Sequence, residues 1–281
     1  MIMRTFKRST ITPKKSNFKL FKLTIPKREK FVLVSVSLSL GLLLTQIVDA
    51  SLRYYVIAFL SICTILLSIW SIKEDARKIA WIMGPILPTI FTASIGLFFF
   101  LLPERVLVRV ILITLFAIGM YALLLTENIF TVAAIRTIQL LRAAQALGFV
   151  MTLFTAFLLF DTVFSFRLMP WFNAILIFII AFPLLLQGIW SINLEEKVTE
   201  KLLWYSFGFA WILAQLAFFI SFWPLSIIIA SLSLVTLMYV GLGIIQQAMV
   251  GRLFKQTIRE YLQVGIVVFV IVLIAAKWGA Q

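Results

Sequence analysis

Apolar stretches long enough to cross a bilayer recur along this chain, and they constrain its fold more than any other feature. Nine of them run over roughly 31–49, 54–72, 79–102, 106–126, 143–160, 170–191, 202–222, 225–247 and 261–277. A helix needs about 20 residues to span a hydrocarbon core. Each stretch is bounded by charge or proline: Lys73-Glu74-Asp75 stops the second, and Pro103-Glu104-Arg105 separates the third from the fourth. Inside lipid the backbone has no water partner, so a spanning segment must satisfy its own N–H and C=O groups, which a helix does within one segment. The expected fold class is therefore all-α, a polytopic helical membrane protein with about nine transmembrane helices.

Composition narrows the chemistry. The chain is 63% hydrophobic and 13% charged, against about 45–50% and about 25% in soluble domains, which excludes a soluble globule. It has no His, hence no imidazole base, no Ser-His-Asp triad and no His metal site. Its one cysteine, Cys63, lies in an apolar run, so neither an internal disulfide nor a Cys-type zinc site can form. No cofactor and no metal are expected.

Charge sets the orientation. With nine spans, twenty of the 25 basic residues fall on one side and five (Arg53, Arg105, Arg109, Arg167 and Lys277) on the other. The basic-rich side is cytoplasmic by the positive-inside rule. This predicts the N-terminus inside and the C-terminus outside. Val48-Asp49-Ala50 after the first run resembles a weak cleavage motif, but the 30-residue basic lead and the full-length run argue against a cleaved signal peptide. Residues 1–30 hold ten Lys/Arg and one acid, Glu29. Each basic residue near an anionic leaflet contributes about 1 kcal/mol, so the expected partners are anionic lipids at the cytoplasmic face, with membrane-protein partners compatible. Nucleic acid is not expected, because Phe6, Phe18 and Phe21 are too sparse to form a stacking platform.

The chain repeats itself. Ile69-Trp70-Ser71-Ile72 recurs as Ile189-Trp190-Ser191-Ile192 at offset 120; Ala93 and Phe98 match Ala214 and Phe219 at 121; Thr114-Leu115 and Gly119 match Thr236-Leu237 and Gly241 at 122; Thr137-Ile138 matches Thr257-Ile258 at 120. Four matches in one order at nearly one offset indicate a four-span unit. An even number of spans restores orientation, so the halves are parallel, as in parallel-repeat transporters. The expected organisation is a basic tail (1–30), a first four-span repeat (31–142), a second (143–260), and a ninth span with a short external C-terminus (261–281).

Ionisable groups within spans are functional candidates. By these boundaries no acid lies mid-span, which counts against a proton- or sodium-driven carrier. Arg109 lies one turn inside span four, and Gln187 and Gln215 lie within spans, with Thr64, Ser68, Thr92, Ser94 and Asn173. Gly84-Pro85 and Pro88 should break or kink the third span. An inner loop over 127–142 offers Glu127, Arg136, Gln139 and Arg142; its arginines suit a phosphate headgroup or simply positive-inside placement. Candidate binding residues are thus Arg109, Glu127, Arg136, Arg142, Gln187 and Gln215. On the outer face, Asp49 with Arg53 and Asp161 with Arg167 are expected as exposed structural pairs at turns, of the weak kind.

The segments Pro26-Lys27-Arg28-Glu29-Lys30-Phe31, Thr126-Glu127-Asn128-Ile129-Phe130 with Ala134-Ile135-Arg136-Thr137-Ile138, and Gly251-Arg252-Leu253-Phe254 resemble those of uncharacterised multi-pass membrane proteins of small-genome bacteria. That resemblance implies a bacterial inner membrane and transfers no activity or site residue. The expected role is a non-enzymatic one in transport, lipid handling or a membrane complex. The alternative is a membrane enzyme acting on a lipid-linked substrate through interfacial carboxylates.

Overall fold

A computed structural model describes residues 26–46, 48, 52–72, 79–102, 105–134 and 139–276, and all regular structure among them is helical. The helices are α1 (Lys27–Leu44), α2 (Arg53–Ile72), α3 (Ala80–Met83), α4 (Ile86–Phe98, continued by a 3-10 turn at Phe99–Leu101), α5 (Val106–Ala133), α6 (Leu141–Ser165), α7 (Pro170–Asn193), α8 (Glu200–Ile220), α9 (Ile227–Met249) and α10 (Lys255–Ala275). With α3, α4 and the 3-10 turn counted as one element, eight helices among the described residues are long and apolar enough to cross a membrane. The protein is a polytopic helical membrane protein. The ninth expected span, α1, falls short of that measure: it has 18 residues, its first turn is Lys27-Arg28-Glu29-Lys30, and it stops at Leu44 rather than near 49.

The helices run up and down. Lys30 at the start of α1 lies over the ring of Trp70 at the end of α2, 5.5 Å from its centroid. Arg53 at the start of α2 lies over Phe100, just beyond α4. Odd and even spans therefore alternate between two ends of the bundle. One end, called basic below, carries all described Lys and Arg except Arg53, Arg105, Arg109 and Arg167, which lie at the far end.

Packing is selective. α1 packs on α2 and α5, α2 on α4 and α5, and α4 on α5; further along, α6 packs on α7 and α9, α7 on α8 and α9, and α8 on α9. α4 and α5 meet α6, and α10 packs on α9. In lipid the gain comes from close contact and interhelical hydrogen bonds rather than from water exclusion. Phe91 of α4 stacks on Phe116 of α5 at 5.6 Å. Its ring also occupies the space that a side chain on Gly119 would fill. Gly241 of α9 leaves the same kind of gap for Phe209 of α8. Thr64 of α2 and Thr92 of α4 share a buried hydrogen bond of 3.1 Å.

Two helices outrun the sequence boundaries. α5 continues past 126 to Ala133, and α6 continues past 160 to Ser165. In both cases an acid had marked the expected end. A carboxyl group ends a span only when nothing in the protein accommodates it, and both acids have partners on distant helices.

Candidate functional site

The first of these acids is Glu127. It lies in the last two turns of α5, 0% exposed and not in an inner loop, so the expected end of the fourth span at 126 is corrected. Gln187 of α7, equally buried, donates its Nε2–H to Glu127 Oε1 at 2.6 Å. The other carboxyl oxygen, Oε2, is buried and has no hydrogen-bond partner among the described residues. It points at the α3–α4 break, 3.9 Å from where a Cβ on Gly84 would stand. The break is one of hydrogen bonding, because Gly84 and Pro85 keep right-handed helical dihedrals (φ -59°, ψ -40° and φ -75°, ψ -15°): Pro85 brings no N–H, and Pro88 brings none for the Gly84 carbonyl. Three signals from separate parts of the chain thus meet at one point: the amide Gln187, the acid Glu127 and the Gly84-Pro85 step. A carboxyl held by one oxygen and open at the other can take up and release a proton or accept a small cation. A buried polar group left unmatched costs about 1–3 kcal/mol, so such an oxygen is not a neutral feature of a core.

A second polar feature opens at the basic end. A cleft of about 600 Å³ lies between the start of α6, the end of α9 and the first turns of α10, lined by Arg142, Gln145, Gln246, Gln247, Arg252 and Tyr261 among others. Local sequence builds it. Gly251 takes a left-handed φ of 71°, and the Arg252 N–H reaches back to the Gln247 carbonyl at 3.0 Å, the six-to-one bond of a Schellman ending. This turns Arg252 into the cleft. Gln145 donates to the carbonyls of Ser191 and Ile192 (3.1 and 3.2 Å), and Gln246 donates to that of Gly188 (3.0 Å). Both amides tie off the last turns of α7. Gly243 lets the Tyr261 ring lie directly on α9. Of these residues the sequence had pointed only to Arg142; the glutamines next to Gly243 and the Gly251-Arg252 step were the available signals for the rest.

The remaining candidates are dispersed. Arg109 sits half-buried in the second turn of α5 at the far end. Gln215 is exposed on α8, in an aromatic groove of about 500 Å³ with Trp171, Phe178, Trp211, Phe218 and Phe219. Arg136, Asp49 and Glu104 lie outside the described residues. Arg53 donates from Nε to the Val48 carbonyl at 3.0 Å. Asp161 does not end a helix at an exposed turn. It lies inside α6, 6% exposed, where Ser231 of α9 donates to its Oδ1 at 3.2 Å. Arg167 follows the end of α6 with a left-handed φ of 48° and an exposed side chain.

The sequence pattern of one protein family matches residues 70–275. The chain belongs to the DUF5656 family of proteins of unknown function. No curated protein and no solved structure matches it. The DUF5656 match takes in the Gly84-Pro85 break, Glu127, Gln187 and the whole basic cleft, and it leaves out α1 and the tail. Two of the three segments that carried the sequence resemblance fall inside it.

Proposed function

We propose that this protein is a non-enzymatic carrier of a bacterial inner membrane, in which Glu127 takes up a proton or small cation as part of the transport cycle. The observation that carries this reading is the partnerless Oε2 of Glu127, buried beside a proline-broken helix. Intramembrane carboxyls are costly and mark ion pathways, and the two prolines deprive helix carbonyls beside it of their usual N–H donors. Asp161, the described one of the outer acids, is packed against Ser231, which supports a structural role rather than interfacial catalysis.

Glu127→Gln is the deciding variant. A glutamine keeps an oxygen to accept from Gln187, so the fold should persist while the titratable group is lost. Cells with E127Q as their sole copy should behave as the deletion strain at unchanged protein level. In proteoliposomes a hydrophobic carbodiimide should modify Glu127 of the wild type, read by peptide mass mapping. Full activity of E127Q would reduce the pair to a structural bond.

The orientation and the duplication belong to the same reading. The basic end faces the cytoplasm, and reporters fused after residues 75, 104, 197 and 281 should read inside, outside, inside, outside; an inside reading at 281 would remove the nine-span topology. The halves 31–142 and 143–260 are parallel copies, four spans each. The pairing order supports this: α1–α2, α1–α5, α2–α4, α2–α5 and α4–α5 recur as α6–α7, α6–α9, α7–α8, α7–α9 and α8–α9.

A further inference from the structure

We infer that the basic cleft binds the phosphate of an anionic membrane lipid, between Arg142 and Arg252. Its chemistry selects for an anion. Among the described residues, the side chains that line it include two guanidiniums and a phenol but no carboxylate. The nearest acid in sequence, Glu260, accepts a hydrogen bond from Gln256 along α10 at 3.1 Å and is not part of the lining. Gln145 donates to two carbonyls at the end of α7 and Gln246 donates one N–H to a third, so both amides are anchored there and shape the cleft. Arg142 and Arg252 are both exposed, so their donors reach an incoming ligand. Guanidiniums match phosphate oxygens with two parallel N–H bonds each.

A lipid is favoured over a free phosphate by what lies next to the arginines. The lining passes from them to Phe149 and Val150 on α6, deeper along the helix, with Val150 exposed on its side of the bundle. α10 contributes Tyr261 to the lining, and of that helix's apolar window only 6% is buried. An acyl chain can follow this apolar continuation while the headgroup stays at the basic end. A soluble phosphate would make no use of it. The site is also placed at the depth where headgroups lie, at the first turn of α6 and the turn between α9 and α10.

Native mass spectrometry of the full-length protein, with dioleoyl phosphatidylglycerol and phosphatidylcholine added separately, tests this. Phosphatidylglycerol should be retained in preference. R142Q/R252Q should lower its apparent affinity about tenfold or more, while R142K/R252K should keep most of it. K197Q/K201Q, at the same end but outside the cleft, should change nothing; an equal loss there would reduce the effect to general surface charge and overturn the site. Displacement of the lipid by millimolar inorganic phosphate would overturn the lipid assignment. E127Q should leave lipid retention intact, so this inference and the carrier reading fail separately.

Discussion

In the proposed duplication, the α2–α4 seam and the α7–α8 seam occupy the same slot and differ at their centres. In the first, Thr64 and Thr92 hydrogen-bond across the interface, and the third span is broken at Gly84-Pro85. In the second, the corresponding positions at offsets of 120 and 121 are Leu184 and Leu213, both fully buried, and α8 runs 21 residues without interruption. Aromatic rings close that seam: Phe178 meets Phe207 edge-on at 5.3 Å, and Trp171 lies 4.5 Å from Phe218. At its centre the first copy's seam is polar and interrupted by prolines (the jointed copy), whereas the second copy's is apolar there (the continuous copy). The second seam has its polar link, Asn173 to Ser221 at 3.1 Å, moved to one end and its own Pro183 held inside an uninterrupted α7. Glu127 leans on the jointed copy and is held by Gln187 from the continuous one. The carboxyl therefore reports on how the two copies sit against each other.

Four substitutions probe this contrast, in falling order of effect. Gln187→Leu removes the donor that joins α5 to α7 and leaves both Glu127 oxygens unmatched in the core. It should cost about 2–3 kcal/mol, read as a lowered Tm of the detergent-solubilised protein; an unchanged Tm would mean the copies are held together elsewhere. Next come the two glycines. Gly119→Ala places a Cβ 2.8 Å from Phe91, which is 2% exposed and stacked on Phe116, so the ring has nowhere to go. The expected cost is about 1–3 kcal/mol. Gly241→Ala meets Phe209 more deeply, but that ring is half-buried and can swing toward lipid, so the cost should stay below about 1 kcal/mol. If Gly241→Ala proves the worse of the two, the second copy is the tighter one and the contrast is reversed. Thr64→Val deletes the interhelical hydrogen bond of the jointed seam and should cost about 0.6 kcal/mol, a small Tm shift; a loss several times larger would make that bond the main tie between α2 and α4.

Helices, the break at Gly84-Pro85 and the concentration of basic residues were legible because each is written locally, in hydropathy, proline and charge. The true end of α5 was not. Glu127 looked like a boundary, although Ile129-Phe130 and Val132-Ala133 beyond it continue the apolar character as far as Arg136. What allows the carboxyl inside is an amide 60 residues further on, and hydropathy holds no record of that pairing. The same holds for Asp161, whose partner Ser231 is 70 residues away. The cleft was visible only as Arg142, because its other walls come from α9 and α10 and depend on a glycine ending that sets the direction of Arg252.

The distance between Glu127 and Gln187 also has a consequence in time. At about 5–20 residues per second, the 60 residues between them take roughly 3–12 s to synthesise, so α5 enters the bilayer well before its partner exists. The 28 residues of α5 measure about 42 Å at 1.5 Å per residue, some 12 Å more than an average hydrocarbon core. That surplus is about two turns, which a bilayer accommodates by a tilt of the helix. Until α7 is made, any position that keeps Glu127 among the hydrated headgroups costs less than one that buries it in lipid.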